Sequence, residues 1–247
     1  MALLSGERLD DLRRAGLRIV QSSDAFCFSI DAVLLAHFAT IKTGDVIIDL
    51  GTGSGVIPLL MSTRGERLRI TGLELNAIVA DRARRSIEIN QLTHCISIVQ
   101  GDLKEAAKIF GHECFTLVVS NPPYLPIGIG EISQSSTRCM ARHEVTATLH
   151  DVVKASADLL STGGRLALVH RPSRMADIFC ALREYRLEPK RLRLVHPAAG
   201  KEANMVLLEA IKNAKPDLRV GKPIYIHEAD GSYTTQIVSL YAGGELD

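Results

Sequence analysis

The stretch DVIIDLGTGSG, Asp45 to Gly55, runs from an apolar segment that reads as a buried strand into a glycine-rich turn that opens a helix. From Asp45 onward, short apolar runs alternate with helical patterns, the signature of a parallel sheet covered by helices on both faces. Strands are predicted at Val46 to Leu50, Leu68 to Leu73, Ile96 to Gln100, Phe115 to Ser120, Arg165 to His170, Leu187 to His196 and Asn204 to Ala210. Helices are predicted at Ser54 to Thr63, Asn76 to Asn90, Leu103 to Phe110, Thr146 to Leu160 and Ser173 to Glu184. Only Pro197 to Ala203 separates the last two strands, too little for a crossover helix, so they should pair antiparallel. The expected fold is α/β: a doubly wound, seven-stranded, mostly parallel sheet ending in an antiparallel hairpin. Upstream, Leu17 to Gln21 reads as a short strand and Ile30 to Phe38 as a helix; downstream, Lys212 to Asp247 carries two turn signals, Lys222-Pro223 and Asp230-Gly231.

A chain of 247 residues can bury a substantial core, and 46% hydrophobic with 23% charged residues is ordinary for a soluble globular enzyme. A net charge of +1 neither requires nor excludes a nucleic-acid partner, because clustering on one face matters more than the total. No apolar run is long enough to span a bilayer, and Glu7, Arg8, Asp10 and Asp11 stand where a signal peptide would be apolar, so a cytoplasmic protein is expected. Cys27, Cys95, Cys114, Cys139 and Cys180 are scattered, and neither they nor the eight histidines have metal-ligand spacing, so no metal is assigned.

Glycines 51, 53 and 55 permit positive φ and let a ligand approach the backbone at a helix N-terminus. The spacing is GxGxG, not the GxGxxG of a pyrophosphate cradle, and Asp49 at the strand end would repel an anion. A cationic or zwitterionic cofactor fits better. Glu74 ends the second strand, where a carboxylate can accept hydrogen bonds from ribose hydroxyls, and Asp102 follows the third, where it can take an adenine amino group. Each acid alone is read more simply as a helix cap. Three acids and Asn121 at four successive strand ends, with the glycines, favour a ligand crevice.

The residues after the fourth strand are Asn121, Pro122, Pro123 and Tyr124. The prolines fix φ and hold the preceding residue extended, so the Asn121 and Pro122 carbonyls take predetermined directions. Asn121 adds a side-chain acceptor and Tyr124 a stacking ring, which suits a planar amine.

In order and spacing, DLGTGSG, Glu74, Gly101-Asp102-Leu103 and Asn121-Pro122-Pro123-Tyr124 resemble the motifs of S-adenosylmethionine-dependent amino-methyltransferases with the Rossmann-like class I fold. The resemblance implies that S-adenosyl-L-methionine is the cofactor, held by Asp31, Asp49, Gly51, Gly53, Gly55, Glu74, Asp102, Leu103 and Asn121. It implies that Asn121, Pro122, Pro123 and Tyr124 hold the amine to be methylated. Both adenine in nucleic acid and the side-chain amide of glutamine in proteins satisfy those motifs. Further stretches, among them ERLDDL (Glu7 to Leu12), FSIDAVLL (Phe28 to Leu35), ARHE (Ala141 to Glu144), ALVHRP (Ala167 to Pro172), GKEAN (Gly200 to Asn204) and DGSYT (Asp230 to Thr234), resemble the bacterial tRNA (adenine-N6)-methyltransferases of the valine-tRNA type. The likeness is to their shorter branch, typical of Gram-positive bacteria.

That likeness implies a tRNA partner and an adenine beside the anticodon. Residues 1–44 are then expected to cover the cofactor site, 45–210 to form the core and 211–247 an appendage, within one domain overall. Arg138, Arg142 and His143 in the long loop after Tyr124, Lys190 and Arg191 in a basic stretch, and Lys201 in the hairpin loop are candidate RNA contacts, although for any single one a solvated charge is the simpler reading. Two other functions compete. A glutamine N5-methyltransferase acting on a translation factor predicts a dedicated N-terminal helical domain, and a non-catalytic RNA-binding module predicts damaged motifs.

Overall fold

The computed structural model describes residues 3–22, 30–122 and 147–246. In chain order the elements are β1 (Glu7–Asp11), β2 (Arg18–Ser22), α1 (Ile30–Phe38), β3 (Val46–Leu50), α2 (Val56–Ser62), β4 (Arg69–Glu74), α3 (Ala77–Ile89) and β5 (Ile96–Gln100). A 3-10 turn at Leu103–Glu105 leads into α4 (Ala106–Phe110), then β6 (Phe115–Ser120), α5 (Leu149–Leu159), β7 (Leu160–His170), α6 (Met175–Glu184), β8 (Leu187–Ala198) and β9 (Met205–Lys212). Two short strands, β10 (Arg219–Val220) and β11 (Ile224–His227), and α7 (Thr235–Ala242) complete the described chain.

The central sheet runs β10-β8-β9-β7-β6-β3-β4-β5, with β11 also beside β8. Strands β3 to β7 are mutually parallel, whereas β9 lies antiparallel between β7 and β8. The predicted terminal hairpin is therefore present, and its second strand inserts next to β7. One core cluster joins α1, α2, α3 and α7 to one sheet face, and another joins α4, α5 and α6 to the other. Strands such as β6, with five of six residues buried, are apolar on both faces because both are covered.

Three differences from the sequence reading have physical causes. β7 begins at Leu160 rather than Arg165: Leu160 pairs with Phe115 while Arg165 pairs with Leu117, so residues 161–164 loop out of register around Gly163, at φ +79°. The predicted helix Leu103 to Phe110 starts as a 3-10 turn capped by the Asp102 side chain. The C-terminal segment is more than an extension, since β10 and β11 lengthen the sheet alongside β8 and α7 buries Ile237 and Leu240 against the core.

The N-terminal segment is built into the molecule. Eight of the nine α1 residues are buried, as expected of a helix apolar around its whole circumference. Its body is a core element, and the residues that lead into it, 23–29, lie outside the described set. The β1–β2 hairpin docks on α3: Val20 N–H donates to Ser86 Oγ at 3.0 Å, Arg18 N–H to Asn90 Oδ1 at 2.9 Å, and Glu7 receives Arg85 at 2.5 Å and Arg82 at 3.3 Å. The Arg85 guanidinium holds the Glu7 carboxyl down at about 2.

At the amino ends of the parallel strands, a buried ion pair ties three elements together. Arg165 of β7 meets Asp45 at 2.6 Å, Thr116 of β6 donates to the same carboxylate at 2.8 Å, and Arg165 also donates to the Thr40 carbonyl at 2.8 Å. Asp45→Ala would leave a buried guanidinium without its counter-charge and should destabilise the fold by about 3–5 kcal/mol in urea unfolding. A loss under about 1 kcal/mol would contradict this role.

Candidate active site

Strand register brings the candidate residues together. Asp49 pairs with Gly72 of β4 and Val119 of β6, and Glu74 pairs with Gln100 of β5. Asp49, Glu74, Asp102 and Asn121 therefore stand at the carboxyl ends of four adjacent strands, in the order β6-β3-β4-β5. From β3 the chain winds one way to β4 and β5 and the other way to β6 and β7. Open α/β sheets bind ligands at such a switch point.

The glycine loop is pinned from the β4 side. Gly51 and Thr52 N–H both donate to the Leu73 carbonyl, at 2.9 and 3.0 Å, and Gly53 N–H donates to Glu74 Oε2 at 2.9 Å. Gly51 and Gly53 hold φ of +75° and +57°, and a Cβ on either would meet nothing within 4 Å, so this edge of the loop is open to a ligand. A Cβ on Gly55, at φ +88°, would lie 3.5 Å from Ala83 of α3, so the glycine faces that helix.

Asp49 is fully buried. Neither of its carboxylate oxygens, nor Thr52 Oγ1, makes a hydrogen bond of proper geometry among the described residues. Burial pushes the Asp49 carboxyl up to about 7; the nearby Thr52 hydroxyl offsets part of this and the Glu74 charge adds to it. A carboxylate left in this state is stabilised by an arriving cation.

Glu74 has two tasks: Oε2 accepts from Gly53, and Oε1 accepts the Asn76 N–H at 2.9 Å. Each oxygen keeps a lone pair for a hydroxyl. Asp102 Oδ1 accepts the Lys104 N–H at 2.9 Å, so the helix-cap reading holds for that oxygen, and Oδ2 is uncommitted among the described residues. Asp31 is buried in the first turn of α1, and half-buried Leu103 packs against the second core cluster. Ser120 Oγ donates to the Leu50 carbonyl at 2.9 Å, which ties the β6 and β3 ends together immediately before half-buried Asn121 and buried Pro122. Pro123, Tyr124, Arg138, Arg142 and His143 lie outside the described residues.

Of the other candidate RNA contacts, Lys190 donates to the Lys215 carbonyl at 3.1 Å and so braces the C-terminal segment. Arg191 is held over the Phe38 ring at 4.6 Å, and Lys201 sits exposed in the β8–β9 loop.

Sequence reasoning missed three features of the crevice. Gly72 is required because a Cβ there would come within 2.8 Å of Thr52, and a lone glycine in a strand was the available signal. Leu75 follows Glu74 directly and is 43% exposed, which leaves an apolar surface at the rim on which a flat ring can rest. His170 closes β7 with Nδ1 accepting the Arg171 N–H at 2.8 Å, and burial lowers its pKa to about 4, so it is neutral near pH 7. Among the described residues there is no group of three or more His, Cys, Asp or Glu able to hold a metal ion, and no helix is long and apolar enough to cross a membrane.

A family model described as the methyltransferase small domain matches residues 20–184. The chain belongs to that family. A tRNA1(Val) (adenine(37)-N6)-methyltransferase of Porphyromonas gingivalis is 31% identical over 230 residues, 90% of this chain and 89% of the relative. One of the same name from Aeromonas hydrophila is 32% identical over 212 residues, covering 85% and 86%. Among solved structures, a predicted O-methyltransferase from Agrobacterium tumefaciens superposes with a TM-score of 0.71 at 27% identity, over 88% of this chain and 98% of that one.

The family's methyl donor, S-adenosylmethionine, fits the crevice. Asp49, without a hydrogen bond of proper geometry among the described residues, would face its sulfonium and ammonium charges, Glu74 would accept its ribose hydroxyls, and the open edge of Gly51 and Gly53 would take its amino acid tail. The sign of the Asp49 effect follows from its raised pKa. Below the ordinary 3.8 both folded and unfolded states are protonated and nothing is lost; between 3.8 and about 7 the unfolded state ionises first and stability falls; above about 7 the cost is complete. Asp49→Asn should therefore raise the thermal midpoint of the cofactor-free protein at pH 8, with the gain vanishing toward pH 4, while weakening S-adenosylmethionine binding at least about tenfold. A variant no more stable than wild type at pH 8, with unaltered cofactor affinity, would contradict the assignment.

Proposed function

We propose that this protein transfers the methyl group of S-adenosylmethionine to the exocyclic N6 amine of an adenine in tRNA, in the anticodon loop at the purine beside the anticodon, and that it does so in the cytoplasm. The observation that carries the proposal is the position of Asn121 and Pro122 at the end of β6, two and three residues past Val119, which pairs with the buried Asp49 of β3, an acid without a hydrogen bond of proper geometry among the described residues. A pair of carbonyl acceptors for an amine thus stands beside a seat for a cationic cofactor. The tRNA substrate is supported by the relatives from Porphyromonas gingivalis and Aeromonas hydrophila, whose likeness extends over most of the chain.

S-adenosylmethionine supplies an electrophilic methyl group on a positively charged sulfur. The task of the protein is to present the nitrogen. An amine conjugated to an aromatic ring is a poor nucleophile because its lone pair is delocalised. With the Asn121 side-chain oxygen and the Pro122 carbonyl accepting its two hydrogens, the nitrogen is drawn toward tetrahedral geometry and its lone pair is directed at the methyl group. Both acceptors also stabilise the charge that grows on nitrogen in the transition state, where binding energy accelerates chemistry. The Tyr124 ring stacks on the base and holds it in line. A paired base cannot enter such a crevice, so the substrate is an unstacked loop nucleotide.

A glutamine amide would offer the same nitrogen to the same acceptors, and the two readings separate in one assay. Incubation with labelled S-adenosylmethionine and bulk tRNA from cells lacking the enzyme, followed by nucleoside mass spectrometry, should yield N6-methyladenosine. Its absence, with purified release factor methylated instead, would overturn the proposal. Asn121→Ala should lower kcat about 10²- to 10³-fold, a loss of the size found on removing a transition-state acceptor or donor, with cofactor affinity nearly unchanged.

A further inference from the structure

Away from the crevice, the outer edge of the sheet carries a cavity of about 560 Å³ with Arg191, Arg193, Arg219 and Lys222 in its wall, together with Phe38 and Gln236. Arg191 and Arg193 alternate along β8 and so project from the same sheet face. Arg219 and Lys222 come from the C-terminal segment, which is bolted across β8: Gly221 N–H donates to the Leu192 carbonyl at 2.8 Å, and Arg193 Nε donates to the Lys222 carbonyl at 2.8 Å. A Cβ at Gly221 would come within 3.0 Å of the Arg193 side chain, so glycine is what allows this close approach.

The cations are built in. Arg191 is anchored through Nη1 to the Phe38 carbonyl at 3.3 Å and to Thr40 Oγ1, and its guanidinium lies over the Phe38 ring. Its Nε and Nη2 have no partner among the described residues, so a preoriented fork of donors remains. The acids nearby are already engaged. Glu209 accepts the Thr40 N–H at 2.8 Å and its hydroxyl at 2.9 Å besides Arg191 at 3.4 Å, and Asp217 is shared between Arg219 at 3.6 Å and Lys190 at 3.9 Å. Lys222 is exposed and its ammonium has no partner among the described residues. Gathering four cations in one cavity is unfavourable by itself and focuses a positive potential there.

We infer that this pocket binds backbone phosphates of the RNA substrate, as a second foothold apart from the crevice that takes the base. The inference rests on the proposed tRNA substrate and goes beyond it by giving the C-terminal segment a role. The sheet register supplies the geometry. Ser120, at the end of β6, is level with Leu168 of β7, Leu208 of β9 and Leu192 of β8. The strand that bears Arg191 and Arg193 therefore lies three strand spacings from the Asn121 end, about 14 Å at about 4.8 Å each. A few nucleotides of single strand cover a separation of that order, which lets an adenine in the crevice and phosphates in the pocket come from one loop. Glu209 and Asp217 already face Arg191 and Arg219, so a neutral small molecule would leave the Lys222 ammonium and the open side of the Arg191 fork unanswered, whereas phosphodiesters supply charge to both.

The test uses the full chain and the double variant Arg219→Ala/Lys222→Ala, which alters two exposed side chains and leaves the hydrogen bonds across β8 in place. Binding of a fluorescein-labelled anticodon stem-loop RNA is followed by anisotropy between 50 and 200 mM salt, without methyl transfer. The variant should bind about tenfold more weakly than wild type, with a salt slope shallower by about one to two, close to the 0.9 expected for each lost phosphate contact. Its S-adenosylmethionine affinity and thermal midpoint should match wild type. Equal RNA affinity and slope in the two proteins would overturn the pocket, as would tight wild-type binding of inorganic phosphate at this site that the RNA fails to displace. If the wild type binds the RNA with the predicted difference from the variant but leaves its adenine unmethylated, the proposed reaction fails and the pocket stands.

Discussion

A carboxylate buried without a partner organises this molecule. Asp49 sits at the end of the first central strand with both oxygens lacking hydrogen bonds of proper geometry among the described residues, a state that costs stability until a cation arrives. The features around it keep that seat in place. Leu73 and Glu74 hold the glycine loop open at Gly51 and Gly53, Gly72 makes room for Thr52, and Ser120 ties the β6 end to the Leu50 carbonyl, next to Asp49 on β3. The Asp45–Arg165 pair at the opposite end locks β3, β6 and β7 in one register.

The sequence carried the central fold because its local signals agreed. Five parallel strands and the closing hairpin each announced themselves by apolar runs of the right length with turn residues between them, and the glycine spacing with Asp49 excluded a pyrophosphate cradle. What escaped notice was set by tertiary context. The out-of-register residues 161–164 are recognisable only once Phe115 and Leu117 are known to pair with Leu160 and Arg165. β10 and β11 are two and four residues long and exist only because β8 offers them an edge. α1 was legible as a helix, whereas the burial of eight of its nine residues came only with the elements packed around it.

Part of the site was legible and part was not, for similar reasons. Asp49, Glu74 and Asp102 were visible as acids at strand ends, and burial and partners separated them: Asp49 without a hydrogen bond of proper geometry among the described residues, Glu74 bracing the loop, Asp102 capping a turn through one oxygen. No periodicity could have revealed that. The basic residues behaved in the opposite way, since Lys190 and Arg191 looked alike in the sequence. The structure turns Lys190 toward the Lys215 carbonyl and fixes Arg191 beside Arg193, Arg219 and Lys222, so the meaning of a charge depended on which segment folded back against it.

Asp49 is proposed as the seat of the cofactor's positive charge, and a proton balance tests that role. Burial pushes the Asp49 carboxyl up to about 7, so near pH 7 part of the cofactor-free protein holds a proton there, and a bound cation favours its loss. Calorimetric titration with S-adenosylmethionine at pH 7, in buffers of different ionisation enthalpy, measures the protons exchanged. Wild type should release more protons than Asp49→Asn titrated at concentrations high enough to saturate it. Identical proton exchange in the two proteins would contradict the account.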